Sequence, residues 1–213
     1  RRVLFRSSTW LTFFAASWAI SISPGPGAVA AMSAGLNHGF RRGYFTTFGL
    51  VLGIWIQVLV VGVGLGAIIA ASATAFLVVK WLGVAYLVYL GIKQWRAPAV
   101  PLVAEADDGP LVKRRAMVLH GILINIVNPK GTVFLLAVVP QFLNLAQALT
   151  PQYLIIGATL AFTDLVVMGC YTALAAKVLS ALKSESHLRT MNRVFGSLFV
   201  AAGTLLALFK RTT

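Results

Sequence analysis

The sequence predicts an all-α integral membrane protein with six transmembrane helices, arranged as two inverted three-helix repeats with broken first and fourth helices. Composition is the first reason: of 213 residues, 59% are apolar and 11% are charged, whereas soluble domains are about 45–50% apolar and about 25% charged. Secondly, three long runs hold no Asp, Glu, Lys or Arg, namely Ser7–Phe40, Gly43–Val79 and Gly131–Thr163. Since a helix needs about 20 apolar residues to cross the hydrocarbon, each run holds at least one span.

The six predicted helices follow these runs in chain order. They cover roughly residues 9–33, 43–70, 75–95, 116–142, 151–177 and 192–210. The apolar runs are continuous rather than alternating, which excludes the strands of a membrane barrel. The net charge is +13, but the basic residues do not form a soluble domain that could bind nucleic acid. A nucleic-acid partner is therefore not predicted.

Basic residues lie in alternate loops and set the predicted orientation. The loops after the second and fourth helices carry none, and only Lys210 and Arg211 follow the sixth. Because Lys and Arg accumulate on the cytoplasmic side of a membrane, both termini should lie outside the cytoplasm. The eleven basic residues of the cytoplasmic loops are Arg41, Arg42, Lys93, Arg96, Lys113, Arg114, Arg115, Lys177, Lys183, Arg189 and Arg193.

Four segments are predicted along the chain. Residues 1–8 begin with RRVLFRS, which a common sequencing adapter gives when translated, so we expect a read-through scar. The two three-helix repeats should cover residues 9–96 and 116–211. Between them, 97–115 is expected to be a cytoplasmic linker, because it gathers three prolines and three of the five acidic residues.

The two halves share a sequence pattern. A basic residue, a glycine three positions later and an aromatic three further on open the third helix, from Lys80, and the sixth, from Arg193. Pro24 in the first helix likewise corresponds to Pro129 in the fourth. Because each half has an odd number of spans, the second must insert upside down, which is the plan of many secondary transporters. Chance similarity among glycine-rich apolar helices is the alternative.

Prolines interrupt the first and fourth helices. Pro24, Pro26 and Pro129 lack an N–H group, so each frees the carbonyl four residues before it. Freed backbone groups at membrane depth are tolerated only inside protein or beside a wet cavity. Two breaks in corresponding helices therefore predict a transport site, with a packing kink as the alternative. The predicted site residues are Ser23, Pro24, Gly25, Pro26, Asn125, Asn128, Pro129, Lys130 and Asp164.

Single charges lie close to the centres of the fourth and fifth helices, at Lys130 and Asp164. This placement costs about 2.5–3.5 kcal/mol on insertion scales, so we expect either a functional role or a purely structural ion pair. Asn125 and Asn128 either bind a ligand or patch freed carbonyls. No metal, cofactor or catalytic residue is predicted, because the one cysteine, Cys170, and the three histidines have no partners at ligand spacing.

Several of these motifs resemble the LysE/RhtB superfamily of amino-acid exporters, over nearly the whole chain from Trp10 to Lys210. The motifs are Ser23-Pro24-Gly25-Pro26, Gly39-x3-Gly43, Lys80-Trp81-Leu82-Gly83-x-Ala85-Tyr86-Leu87, Asn128-Pro129-Lys130, Pro140-Gln141-Phe142 and Asp164. Others are similar to the homoserine/homoserine-lactone efflux branch, which also handles threonine: Leu36-Asn37-His38-Gly39, Gln94-Trp95-Arg96 and Phe195-Gly196-Ser197-Leu198-Phe199.

This resemblance implies a bacterial inner-membrane protein that exports small neutral amino acids in exchange for protons. The alternatives are export of leucine, of lysine or arginine, or of a divalent cation on the same scaffold. Glycine-rich helix faces permit a homodimer. We expect the freed carbonyls of Ile20, Ile22 and Asn125 to accept hydrogen bonds from the substrate's ammonium group. The N-termini that follow the prolines would meet its carboxylate, and Asp164 would bind the ammonium or exchange a proton.

Overall fold

The computed structural model describes residues 7–71, 73–98, 112–175 and 184–208, and these are helical apart from short connections. The helices of the described ranges are α1 (Ser7–Ile22), α2 (Pro26–Ala71), α3 (Ala73–Trp95), α4 (Arg114–Ile126), α5 (Pro129–Phe142), α6 (Leu149–Ala173) and α7 (Glu185–Leu208). The all-α class is therefore confirmed. Residues 1–6 of the predicted scar and 99–111 of the predicted linker lie outside the described ranges.

The first predicted helix is broken where the prolines fall. α1 ends at Ile22 and α2 begins at Pro26, with no helix between them. Pro26 suits the first position of α2, because the N–H that it lacks would have no helical partner there. The broken first helix is thus confirmed, but its predicted end at residue 33 is wrong, because α2 continues to Gly39 before the chain changes direction.

The chain reverses inside α2 at Gly39, which has φ +68°. Glycine adopts this left-handed conformation without the steric cost that a side chain brings. A Cβ placed on Gly43 would lie 2.7 Å from the backbone of Ala34, so the two arms of α2 lie directly against each other. The predicted loop after the first helix is therefore a tight reversal between residues 26–38 and 40–71.

The second break lies at Val127 and Asn128, between α4 and α5. The axes of these two helices are bent by 52° relative to each other. The side-chain oxygen of Asn128 accepts a hydrogen bond from the backbone N–H of Lys130 at 3.1 Å and so caps α5. The predicted break in the fourth helix is confirmed.

Two helices are long and apolar enough to cross a membrane, Pro26–Gly64 and Leu149–Ala173, and the bent pair of α4 and α5 makes a third candidate. Among the described residues, these are the segments that length and composition alone identify as spans. The count of six spans and the inverted repeat stay predictions.

Two apolar clusters form the core, on either side of the breaks. One gathers Phe13, Ile54, Phe134, Leu135, Phe142 and Ile156. The other gathers Ala28, Met32, Leu50, Val167 and Met168. α2 contacts α4 closely through glycines, since a Cβ on Gly49 would lie 2.0 Å from the carbonyl oxygen of Val118. Gly49 thus lets the backbones of α2 and α4 lie directly against each other.

Candidate functional site

A cavity of about 70 Å³ lies between the two breaks, with walls from both apolar clusters. Holding one water takes about 10–15 Å³, so this space suits a few waters or one small solute. Ser23, Gly25, Asn125, Asn128, Lys130 and Asp164 line it. Pro24 and Pro26 lie at the first break, and Pro129 begins α5 after the second. The predicted site residues therefore come together around one cavity.

The first break is closed by side chains from the second half of the chain. Nζ of Lys130 donates a hydrogen bond to the carbonyl oxygen of Ile20 at 3.1 Å and another to that of Ser23. The hydroxyl of Tyr171 donates to the carbonyl oxygen of Ile22 at 2.7 Å. Protein donors thus already bond these carbonyls in this conformation, and their binding to a substrate's ammonium group stays a prediction.

The second break is closed by an amide side chain from α2. Nε2 of Gln57 donates to the carbonyl oxygen of Asn125 at 2.7 Å and to the hydroxyl of Thr132 at 2.9 Å. It also lies 3.4 Å from the carbonyl oxygen of Asn128. Gln57 thus replaces the N–H that Pro129 removed, and the carbonyl of Asn125 is also not open to a ligand.

Both asparagines bond the protein itself. Nδ2 of Asn125 donates to the carbonyl oxygen of Leu50 at 2.6 Å, and the side chain is buried. The side chain of Asn128 caps α5, so one of the backbone N–H groups expected to face a substrate is taken. Neither side chain is seen to bond a carbonyl that a proline frees, and both residues line the cavity, so the choice between the two predicted roles stays open. The first turn of α2, at Gly27 and Ala28, lines the cavity and keeps the unpaired N–H groups of a helix start.

Asp164 and Lys130 face the same cavity without touching. In the part of the chain that the structure describes, Arg189 and Glu185 form the one ion pair. The alternative of a direct structural pair between Lys130 and Asp164 is therefore wrong. The two charges still interact through space, and Ser21 lies beside the carboxyl group of Asp164. One cavity is thus lined by a basic and an acidic side chain that are not in ion-pair contact.

The hydroxyl of Ser23 has no hydrogen-bond partner although the residue is only 2% exposed. Buried hydroxyls are normally bonded, and one left alone costs about 1–3 kcal/mol. Ser23 lines the cavity, so a ligand there is the natural partner for this oxygen.

The family is decided by a match over most of the chain. A family model described as LysE type translocator matches residues 18–209. The chain belongs to the LysE family. An uncharacterized membrane protein of Vibrio cholerae is 41% identical to this LysE-family chain over 201 residues, covering 94% of the chain and 97% of that protein. The predicted family resemblance is confirmed, and the chain is a membrane protein of that family.

Other relatives carry functional names. The homoserine/homoserine lactone efflux protein of Salmonella typhimurium is 40% identical over 202 residues, covering 93% of the LysE-family chain and 95% of that protein. A leucine efflux protein of an Enterobacter species is 26% identical over 199 residues, covering 92% and 93%. No solved structure matches the chain.

Three residues of this LysE-family site were not predicted from the sequence: Gln57, Tyr171 and Thr163. The hydroxyl of Thr163 lies 3.2 Å from that of Ser21, next to Asp164. Gln57 carried a signal, because it is the only amide in the charge-free run from Gly43 to Val79. An amide in an apolar helix needs a partner, and the freed carbonyls of the fourth helix supply one.

Proposed function

We propose that this LysE-family protein exports small neutral amino acids or their derivatives across the bacterial inner membrane, with homoserine, homoserine lactone and threonine as substrates. The observation that carries the proposal is the cavity between two broken helices, which has Lys130 on one wall and Asp164 on another. An amino acid is a zwitterion of the same two charges. The name of the Salmonella relative supports this substrate class.

Each end of such a zwitterion has a complementary group in the cavity. The carboxylate fits near Lys130 and the first turn of α2, where N–H groups and the positive end of the helix dipole favour an anion. The ammonium fits near Asp164 and the carbonyls at the end of α1. The unpartnered hydroxyl of Ser23 is available to a polar side chain such as those of homoserine and threonine.

The relatives favour homoserine over leucine as the substrate. The relative named for homoserine/homoserine lactone efflux is 40% identical, whereas the one named for leucine efflux is 26% identical. Export of a divalent cation is the other alternative. The described ranges contain no group of three or more His, Cys, Asp or Glu side chains, whereas hard cations take about six oxygen ligands.

Proton coupling is assigned to Asp164, the one carboxylate that lines the cavity. A carboxylate in the middle of a membrane helix is costly to bury and is typical of proton relays. In an antiporter, protonation of this group and occupation by substrate would alternate. Protons and the amino acid are therefore the proposed partners, with no cofactor.

The broken helices also support the proposed topology of six spans in two inverted repeats, residues 9–96 and 116–211. α1 with the first arm of α2 corresponds to α4 with α5, the second arm of α2 to α6, and α3 to α7. With the basic loops in the cytoplasm, both termini would lie outside it. A homodimer stays compatible with the glycine-rich faces.

Uptake of labelled homoserine into energised everted membrane vesicles tests the proposal, with threonine, leucine and lysine as parallel substrates. We expect accumulation of homoserine or threonine that collapses with an uncoupler and in Asp164→Asn. Glu185→Gln is the matched control, because it neutralises a carboxylate outside the cavity and should transport normally. Accumulation of leucine or lysine alone would contradict the substrate, and full coupled transport by Asp164→Asn would contradict the coupling role.

A further inference from the structure

We propose that Lys130 is a built-in competitor of the substrate: in the empty transporter its ammonium group occupies the subsite that receives the substrate's ammonium group. The inference rests on the proposed function, because it takes an amino acid as the substrate. It adds a loading step, in which the substrate must displace Lys130 from the end of α1 before it can bind there.

The contacts of Lys130 are those that an amino-acid ammonium would make. Its Nζ donates to the carbonyl oxygens of Ile20 and Ser23, at the last turn of α1. A lysine side chain ends in a primary ammonium with three N–H donors, as does the α-amino end of an amino acid. The same pair of carbonyls therefore accepts either group with the same geometry.

The tether makes Lys130 a strong competitor. Its side chain lies across Gly25, where an added Cβ would be 3.5 Å from Cδ and 3.6 Å from Nζ. A group held on a short flexible tether acts at an effective concentration of roughly millimolar. Since the carbonyls at a break need a donor at membrane depth, Lys130 keeps them bonded while no substrate is present.

A displaced Lys130 has a destination in the same cavity. The carboxyl group of Asp164 lines the same cavity and interacts with Lys130 through space, outside ion-pair contact. The substrate's own carboxylate brings a second anion for the released ammonium. Exchange of one ammonium for the other thus leaves no carbonyl and no charge without a partner.

Two other roles for Lys130 give different expectations. If Lys130 only attracts the substrate's carboxylate, its removal weakens every ligand that has a carboxylate and leaves amines unaffected. If Lys130 only holds α1 against α5, its removal weakens all ligands alike. Loss of a like charge and loss of a competitor both predict tighter binding of a ligand that has an ammonium and no carboxylate. Only a competitor predicts a smaller gain when the replacement side chain still donates to the carbonyls.

The test measures dissociation constants of three ligands for the full chain in lipid nanodiscs, by calorimetric titration. The ligands are L-homoserine, its decarboxylated analogue 3-aminopropan-1-ol, and its deaminated analogue 4-hydroxybutanoate. The variants are Lys130→Met, which keeps the apolar length without a donor, and Lys130→Gln, which keeps a neutral donor for the carbonyls. Lys93→Met is the matched control, because it removes a lysine from the exposed face of α3.

We expect 3-aminopropan-1-ol to bind Lys130→Met about tenfold tighter than the parent, the gain that follows when a subsite occupied about nine-tenths of the time becomes free. Lys130→Gln should gain less, since its amide still occupies the carbonyls but is displaced more easily than an ammonium. Lys93→Met should match the parent. Unchanged or weaker binding of 3-aminopropan-1-ol by Lys130→Met would overturn the proposal. So would an equal gain in affinity for this amine in Lys130→Met and Lys130→Gln.

The design also separates this inference from the proposed function. If Lys130→Met fails to fold, Lys130→Leu takes its place as the variant without a donor, and its gain for 3-aminopropan-1-ol is compared with that of Lys130→Gln. If the parent binds homoserine but neither variant gains affinity for the amine, the competitor is wrong and the exporter stands. If the folded parent binds and accumulates no amino acid, the proposed function itself fails.

Discussion

The two breaks in the helices solve the same backbone problem with different chemistry. At the first, the free carbonyls are bonded by Lys130, a flexible cation, and by the hydroxyl of Tyr171, a residue near the surface. At the second, Gln57 bonds the carbonyl of Asn125 from a buried position, and Asn125 in turn bonds the backbone of α2. The donors at the first break are thus a cation and a half-buried hydroxyl, whereas the donor at the second break is a neutral, buried amide.

Because of this difference, we expect the two breaks to respond differently when a substrate binds. A lysine ammonium can be exchanged for another ammonium, so the first break is the adjustable side of the cavity. The buried amide of Gln57 bonds several partners at once, and a substrate has no equivalent group to replace it. The second break is therefore the fixed side of the cavity. The glycine contact of α2 with α4 adds to that rigidity, because the backbones leave no room for a side chain.

Removing the donor of the fixed break should have the largest effect on stability. Gln57→Leu leaves the buried carbonyl of Asn125 and the hydroxyl of Thr132 without this donor. We expect the free energy of unfolding in detergent to fall by about 2–4 kcal/mol, since the variant loses the several buried hydrogen bonds of Gln57, each worth about 0.5–1.5 kcal/mol. Gln147→Leu, outside the breaks, is the control and should change little. A similar small change in Gln57→Leu would mean that the second break is no more rigid than the first.

The next effect in size concerns the contact that supports the fixed break. Gly49→Ala places a Cβ 2.0 Å from the carbonyl oxygen of Val118, so α4 must move away from α2. Overpacking of this kind costs about 1–3 kcal/mol, and thermal unfolding in detergent measures it. Gly64→Ala in the same helix meets nothing within 4 Å and should be neutral or stabilising. Equal melting temperatures for the two variants would refute the close contact.

A smaller loss is expected at the adjustable break. Tyr171→Phe removes the hydroxyl that bonds the carbonyl of Ile22. Because one hydrogen bond of a half-buried side chain is lost, we expect the unfolding free energy to fall by about 0.5–1.5 kcal/mol. Tyr89→Phe, whose parent side chain is 54% exposed, serves as the reference. A loss as large as that of Gln57→Leu would remove the distinction between the breaks.

The smallest change in stability is expected for Ser23→Ala. The Ser23 hydroxyl has no partner to lose, so the unfolding free energy should stay within about 0.5 kcal/mol or rise. Transport should still suffer, with a several-fold higher KM for homoserine, because a ligand partner has gone. Ser17→Ala is the control: its hydroxyl bonds the carbonyl of Phe13 within α1, so stability should fall slightly and KM should stay. An unchanged KM in Ser23→Ala would separate this hydroxyl from the substrate.

The positions of the breaks could be predicted from the sequence because their causes are local. Proline removes an N–H wherever it stands, and Asn128 before Pro129 has the preferences of a helix cap. The charges that line the cavity were also predictable, since Lys130 and Asp164 lie in apolar helices where a charge is costly. Family membership followed from the same motifs.

The donors at the breaks could not be predicted, because they come from distant parts of the chain. Gln57 is separated from Asn125 by 68 residues, and Tyr171 from Ile22 by 149. Local patterns do not specify which helix faces a free carbonyl. The reversal at Gly39 lies in the loop predicted between the first two helices. That one glycine makes the turn between two helical arms could not be predicted, because local patterns do not specify the backbone conformation.

The crossed pattern of donors has a consequence for how the protein is made. Lys130 and Tyr171, from the second half of the chain, donate hydrogen bonds to free backbone carbonyls of the first half. Gln57, from the first half, donates to a free carbonyl of the second. A ribosome that has synthesised only the first half has placed α1 in the insertion machinery with carbonyls that have no protein donor. Because lipid offers none, the nascent chain must keep that turn beside water or the translocon until the fourth helix emerges.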